Sequence, residues 1–205
     1  MARAALAALG ADAHQAAFFR ADLSQAEETE AVIRLAAEKF GRLNALVNSA
    51  GIQRYGNVEE TKLELWHEVL SVNLTSAYLT ARAAIPYFRQ QSAGGVIVNV
   101  GSVQSHAAQR GAAAYVTSKH ALLGLTRALA VDYAHERIRA ICVCPGTIDT
   151  PMFRASAAMA PDPLTIIKAC EQMHPVQRIA QAVEVAEVIA FLLERRSLVH
   201  YRDGD

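Results

Sequence analysis

The chain has 205 residues, 52% hydrophobic and 20% charged, which suits one domain with a real core and excludes a disordered segment. Twenty basic and twenty acidic residues cancel, and no local Lys/Arg cluster stands out, so the electrostatic footprint of a nucleic-acid-binding protein is missing. No run of about 18 uncharged apolar residues occurs, so no membrane span is expected.

Taken in chain order, the opening MARAALAALGADA reads as a helix of the mature chain rather than a signal peptide, because its apolar core is short and helically spaced. Residues 16–22 read as a strand. Residues 24–41 read as a helix, with Ser24 as N-cap, Glu27 completing a capping box and Gly41 at the end. A second strand follows at 43–51 and a long helical segment at 61–88, where Trp66 and its Leu/Val neighbours are expected in the core or a subunit interface. A third strand, rich in β-branched residues, covers 95–102. A helix is expected at about 112–134, a fourth strand at 137–146 and a closing helix at 183–196, with 151–175 as one long irregular stretch.

The strands are continuously apolar, as strands buried on both faces are. Their alternation with helices predicts a single α/β domain, a doubly wound, Rossmann-like parallel sheet with right-handed crossovers. Ligands in such sheets bind beyond the carboxyl ends of the strands, which points to the loops after Asp22, Val47, Val100 and Val143. Cys142 and Cys144 alternate along one strand and share a face, at a spacing that is neither a redox nor a zinc motif. With Cys170 they read as buried free thiols of a cytoplasmic protein. Seven histidines lie scattered without ligand spacing, so no metal site is expected.

Three strand ends carry distinctive residues: NSAG (48–51), NVGS (99–102) and CPGTIDTPM (144–152). Ala50 and Gly51 let backbone approach a ligand closely. Tyr115 and Lys119 lie four residues apart on one helix face, 13 residues beyond Ser102. A free phenol has a pKa near 10, and a neighbouring ammonium favours its phenolate. A tyrosine so tuned exchanges a proton with an alcohol or ketone oxygen that Ser102 holds by hydrogen bonding. No side chain carries hydride, so that step calls for a carrier.

This combination, from about residue 2 to residue 193, resembles the short-chain dehydrogenase/reductase family. The resemblance implies Tyr115 as acid/base, Lys119 as the partner that lowers its pKa and binds the nicotinamide ribose, and Ser102 as the substrate-orienting serine. It implies Asn73 as the asparagine that kinks its helix and holds a water of the proton relay. Asp22 and Leu23 are similar to the pair that meets the adenine. Asn48, Ala50 and Gly51 resemble the cofactor-lining turn, with Ser49 a mild departure. Pro145, Gly146, Ile148 and Thr150 resemble the segment that clasps the nicotinamide carboxamide. NAD or NADP is implied, as is assembly into a homodimer or homotetramer.

The resemblance departs from the family at both ends. No G-x-x-x-G-x-G occurs, and only 21 residues precede Asp22, so the first strand, first helix and second strand of the family are expected to be absent. Asp203 and Gly204 alone match the family's closing Asp-Gly-Gly. Weak or no dinucleotide binding is therefore expected, and segment 16–22 is expected to pair with 43–48 or to pack irregularly. Two functions compete: oxidoreduction of a secondary alcohol and its ketone, and a non-catalytic remnant acting by association through 61–88 and 112–134. Gln53, Arg54, Tyr55, Gln104, Ser105 and His106 are expected at the pocket mouth, and their polarity favours a sugar or polyol, with a 3-oxoacyl substrate also open.

Overall fold

A computed structural model describes residues 16–194. The expected opening helix, the last two residues of the closing helix, and Asp203 and Gly204 lie outside these residues.

Residues 16–22 form no strand. They run irregularly, with Phe18 51% exposed, because no ladder partner lies beside them to satisfy their backbone. The first helix, α1, is Ala26–Phe40, one residue later than a Ser24 cap would start it. Ser24 is not its cap: both its hydroxyl (2.7 Å) and its N–H (2.9 Å) donate to Asp22 Oδ1 in a tight Asx turn. Gln25 takes the cap position, and Glu28 rather than Glu27 reaches back, accepting the Asp22 N–H at 2.7 Å. Gly41 ends the helix at φ 71°, the left-handed conformation that suits glycine.

The sheet has three parallel strands in the order β1 (Ala45–Asn48), β2 (Gly95–Val100) and β3 (Ile138–Val143). In register, Asn48 stands opposite Asn99, and Asn99 opposite Cys142. β2 is buried along almost all its length, as a central strand with both faces covered must be. β1 forms an edge among the described residues, and its Val47 is 39% exposed. The core gathers Leu46, Ile97 and Ile138 from the strands with Ala84, Ile85, Phe88 and Leu129 from the helices above them.

The long helical segment is broken in the middle. α2 (Leu63–Leu70) and α3 (Ser76–Arg89) are joined by a π-helical turn over Ser71–Thr75, which carries Asn73 inward. α4 (Ala113–Tyr133) packs on β3, and Trp66 on α2 is half-buried.

The stretch expected to be irregular, 151–175, holds two helices, α5 (Pro151–Ala157) and α6 (Pro163–Met173), and a short strand, β4 (Ile148–Asp149), lies just before it. Each helix begins with proline at its first turn behind a side-chain cap. Thr150 Oγ1 accepts the Phe153 N–H at 3.2 Å, and Asp162 Oδ1 accepts the Leu164 N–H at 3.0 Å. β4 pairs in parallel with β5 (Ala180–Gln181), and α7 (Ala182–Leu193) closes the described chain.

Candidate active site

The expected site forms around the carboxyl end of β2. Beyond Val100 the strand runs on irregularly beside β3: Gly101 N–H donates to Val143 O (2.7 Å) and Val103 N–H to Pro145 O (2.8 Å). Ser102 is thereby held extended at the sheet end. Its Oγ accepts the Gln104 N–H at 3.2 Å, and its hydroxyl is near enough to that of Tyr115 to favour the phenolate.

Tyr115 and Lys119 lie in the first two turns of α4, and both are buried. Lys119 Nζ sits 5.7 Å from the Tyr115 ring centroid and donates to Val100 O at 2.8 Å. Here the geometry departs from the expectation that the ammonium makes the phenol acidic. Burial pushes the Tyr115 phenol above its ordinary 10, the nearby Ser102 hydroxyl opposes that, and the neighbouring Tyr55 phenol adds to it. The lysine charge lies over the ring and is aimed at a carbonyl. Burial also lowers Lys119 itself, to about 8.

Asn73 is buried and fully engaged. Its Oδ1 accepts the Ile52 N–H (2.8 Å), and its Nδ2 donates to Ile52 O (2.9 Å) and Ser118 Oγ (3.0 Å). The π-turn thus clamps the loop that follows NSAG onto α4. A Cβ added at Gly51 would stand 3.5 Å from Asn73 Oδ1 and 3.7 Å from Lys119 Nζ, so this turn, the asparagine and the lysine meet at one point. The gap that glycine leaves there suits a flat ligand edge lying against backbone, and the donors beside it suit ribose hydroxyls. The residues present therefore fit the nicotinamide end of a dinucleotide.

Asn48 behaves differently from the expectation of a cofactor contact. Its side chain turns inward, where Nδ2 donates to Asn99 Oδ1 (2.8 Å) and Oδ1 accepts from Thr80 Oγ1 (2.8 Å); Asn99 Nδ2 then donates to Thr126 Oγ1 (2.9 Å). This is a polar ladder across the sheet, while Ser49 and Ala50 remain exposed at the turn. Asp22 is also exposed, and the Ser24 hydrogen bonds hold its carboxyl below the usual range. Leu23 lends its carbonyl to Thr29 Oγ1 at 3.1 Å. Neither joins the Tyr115 cluster through any described hydrogen bond.

Pro145 and Gly146 leave β3 toward the site, and Ile148 pairs with Ala180. Thr150 spends its hydroxyl on capping α5. No motif marks the residue that holds this loop, which is His174 at the end of α6. Its Nε2 accepts the Thr147 N–H at 3.0 Å, and its Nδ1–H donates to Cys170 O at 2.6 Å, which defines the neutral tautomer.

A cavity of about 510 Å³ opens beside Gly51. Gln53, Tyr55 and Ser156 give it a polar seam, and Leu65, Met152 and Met159 form an apolar wall. The Tyr55 hydroxyl is hydrogen-bonded to Ser156 Oγ, tying α5 across the opening. Gln104 and His106 do not line it. Gln104 instead donates to Gln109 Oε1, as Gln53 does at 3.4 Å, and His106 is exposed. Gln109, exposed in a loop, escapes sequence reasoning because no period marks it. Among the described residues there is no cluster of metal-ligating side chains, and no helix is long and apolar enough to cross a membrane.

Residues 1–199 match the sequence profile of the family described as Enoyl-(Acyl carrier protein) reductase. The chain belongs to the short-chain dehydrogenase/reductase family. Family members are oxidoreductases that use NAD or NADP. The chain is 39% identical to an uncharacterized oxidoreductase of Thermotoga maritima, covering 86% of this chain and 69% of that protein. It is 32% identical to the L-fucose dehydrogenase of Oryctolagus cuniculus, covering 93% and 66%. The chain thus spans about two thirds of the length of these relatives. Among solved structures, the ligand-free aldohexose dehydrogenase of Thermoplasma acidophilum superposes with a TM-score of 0.82 at 38% identity, over 91% of this chain and 75% of that one. ElxO with NADP bound gives 0.79 at 28% identity, over 88% and 72%.

Proposed function

We propose that this short-chain dehydrogenase/reductase interconverts a secondary alcohol and its ketone, with Tyr115 as the proton-transfer group. The observation that carries the reading is the meeting of Tyr115, Ser102 and Lys119 at the carboxyl end of β2, beside Gly51. A bound nicotinamide supplies or accepts the hydride. Gly51, Lys119 and the Pro145–Thr150 loop would hold its nicotinamide end.

Ser102 positions the reacting oxygen by hydrogen bonding. Tyr115 exchanges the proton with that oxygen at its own hydroxyl. Burial keeps the phenol protonated at neutral pH, so in the reduction direction it stands ready to donate. In the oxidation direction the same proton must leave first, and Lys119, with its pKa near 8, lies beside the ring as a charged neighbour. Asn73 acts through the loop at Ile52, which it fixes in place.

For substrate, the polar seam of Gln53, Tyr55 and Ser156 supports a sugar or polyol, as do the similarities to an L-fucose dehydrogenase and an aldohexose dehydrogenase. The apolar wall of Leu65, Met152 and Met159 favours a second reading, an acyl-chain substrate of the 3-oxoacyl type. The deciding experiment screens aldoses and 3-oxoacyl thioesters with NAD(H) and NADP(H), using Tyr115→Phe as control. Turnover of neither class by the wild-type chain would leave the associative alternative standing. Self-association into a homodimer or homotetramer is part of the same proposal and is read by sedimentation.

A further inference from the structure

Two thiols beside this site have no part in the proposed reaction. Cys142 is the next-to-last residue of β3, and Cys144 follows the strand, two residues on along extended chain, so both side chains leave on one face. Their Sγ atoms are 3.6 Å apart, and both residues are half-buried and free. Gly101 rests directly on the pair. A Cβ built there would stand 2.8 Å from Cys142 Sγ and 3.0 Å from Cys144 Sγ, so only a bare backbone passes over the sulfurs. Gly101 sits between Val100, whose carbonyl receives the Lys119 ammonium, and Ser102.

The geometry points to Cys142 and Cys144 as a dithiol site for thiophilic ligands of the trivalent arsenical class, seated under Gly101 and mechanically coupled to Ser102 and Lys119. Sulfur spacing selects this chemistry over a disulfide. Sulfurs in a disulfide stand about 2.05 Å apart, with Cα atoms no more than about 6.8 Å apart. Two positions along an extended strand span about 6.6 Å, at the edge of that range, so closing the bond would bend the strand end. A single pyramidal atom such as trivalent arsenic, bonded to both sulfurs at about 2.3 Å with an angle of about 100° between them, holds them about 3.5 Å apart, close to where they already stand.

The reaction needs no oxidant. With an organic arsenoxide, two As–S bonds form, the As–O bond breaks, and the two thiol protons leave with that oxygen as water. Arsenic and sulfur keep their oxidation states. Nor does it need a standing thiolate. Burial pushes Cys142 up to about 11, which slows reagents that depend on thiolate, but the arsenoxide oxygen itself takes the proton. The Lys119 ammonium, which feels both thiols, steadies negative charge on sulfur during the attack.

The test treats the whole chain with one equivalent of phenylarsine oxide, followed by intact mass and peptide mapping. One phenylarsenic per chain is expected, bridging Cys142 and Cys144, resistant to excess glutathione and released by 2,3-dimercaptopropanol. Cys142→Ser and Cys144→Ser should each abolish the glutathione-resistant adduct, and Cys170→Ser should keep it. Cys142→Ala replaces the serine variant if that one fails to fold. An adduct that survives in either variant, or that glutathione removes from the wild type, overturns the assignment. Coupling is read by hydrogen exchange: the Gly101 amide, bonded to Val143 O at 2.7 Å, should lose protection at least tenfold in the adduct. Unchanged protection would overturn the coupling to the site.

Discussion

Lys119 lies one helical turn beyond Tyr115, 5.7 Å from its ring centroid, yet it donates to Val100 O rather than to the phenol. The pair that looks like a base and its activator is therefore a buried acid above a buried cation. With the Tyr115 pKa raised by burial, the hydroxyl is protonated throughout the neutral range. Reduction of a ketone should hold its rate across that range and fall only in strong alkali. Oxidation, which needs the phenolate, should quicken as pH rises. Tyr115→Phe should cost at least about 100-fold in kcat/KM in both directions while the fold persists. A variant that keeps more than a tenth of wild-type activity would remove Tyr115 from the chemistry.

Lys119 carries a stability consequence with a defined sign. Its folded pKa of about 8 lies below the ordinary 10.5, because burial disfavours the ammonium. Below pH 8 both folded and unfolded chains hold the proton, and the full cost of the buried charge, about 3 kcal/mol, is present. Between pH 8 and 10.5 the folded chain releases the proton while the unfolded chain keeps it, so stability rises. Lys119→Met at pH 7 removes that cost and forfeits the charge-assisted bond to Val100 O, about 2 kcal/mol. The variant should be about 1 kcal/mol more stable in urea at pH 7, and its advantage should disappear by pH 10.5. An equal difference at both pH values would show that Lys119 is not the group responsible.

What the sequence made legible follows from periodicity. Tyr115 and Lys119 share a face because helical spacing dictates it, Gly41 ends its helix as glycine does, and parallel strands showed as apolar runs. Hydrogen bonding between distant residues carries no such signature. Asn48 stands in a motif that suggests a ligand contact, but Asn99 and Thr80 draw its amide inward, and only the fold brings them together. Residues 16–22 have the composition of a strand and no partner, and composition alone does not pair a strand. The two helices in 151–175 were legible in principle: Thr150-Pro151 and Asp162-Pro163 are both cap-then-proline starts. Helices of 7 and 11 residues make too few turns for an apolar period to stand out, which left those starts unsupported.

The ladder through Asn99 predicts a cost that a surface amide would not have. Asn99 is fully buried, accepts from Asn48 and donates to Thr126. Asn99→Ala would leave the Asn48 amide without its acceptor between two strands. A loss of about 1–3 kcal/mol in urea denaturation is expected. Asn99→Asp, which keeps an acceptor for Asn48, should recover part of it at neutral pH. A neutral alanine variant would mean that water replaces the ladder.

His174 makes the last prediction, on a residue no motif singled out. Its ring holds α6 to the loop after β3 through two bonds that only the neutral Nδ1–H tautomer supplies together. His174→Leu removes the acceptor and leaves the Thr147 N–H without its partner. Being half-buried, that donor finds water part of the time, so a cost of about 1 kcal/mol is expected rather than the full penalty of a buried orphan. The sharper readout is local: the Thr147 amide should exchange at least tenfold faster, while the β2 amides keep their protection. His174→Gln, whose side-chain oxygen reaches where Nε2 stood, should restore most of the protection. Equal exchange in the leucine and glutamine variants would show that the imidazole only fills space there, and the loop would then owe its position to Pro145 and the β4–β5 pairing alone.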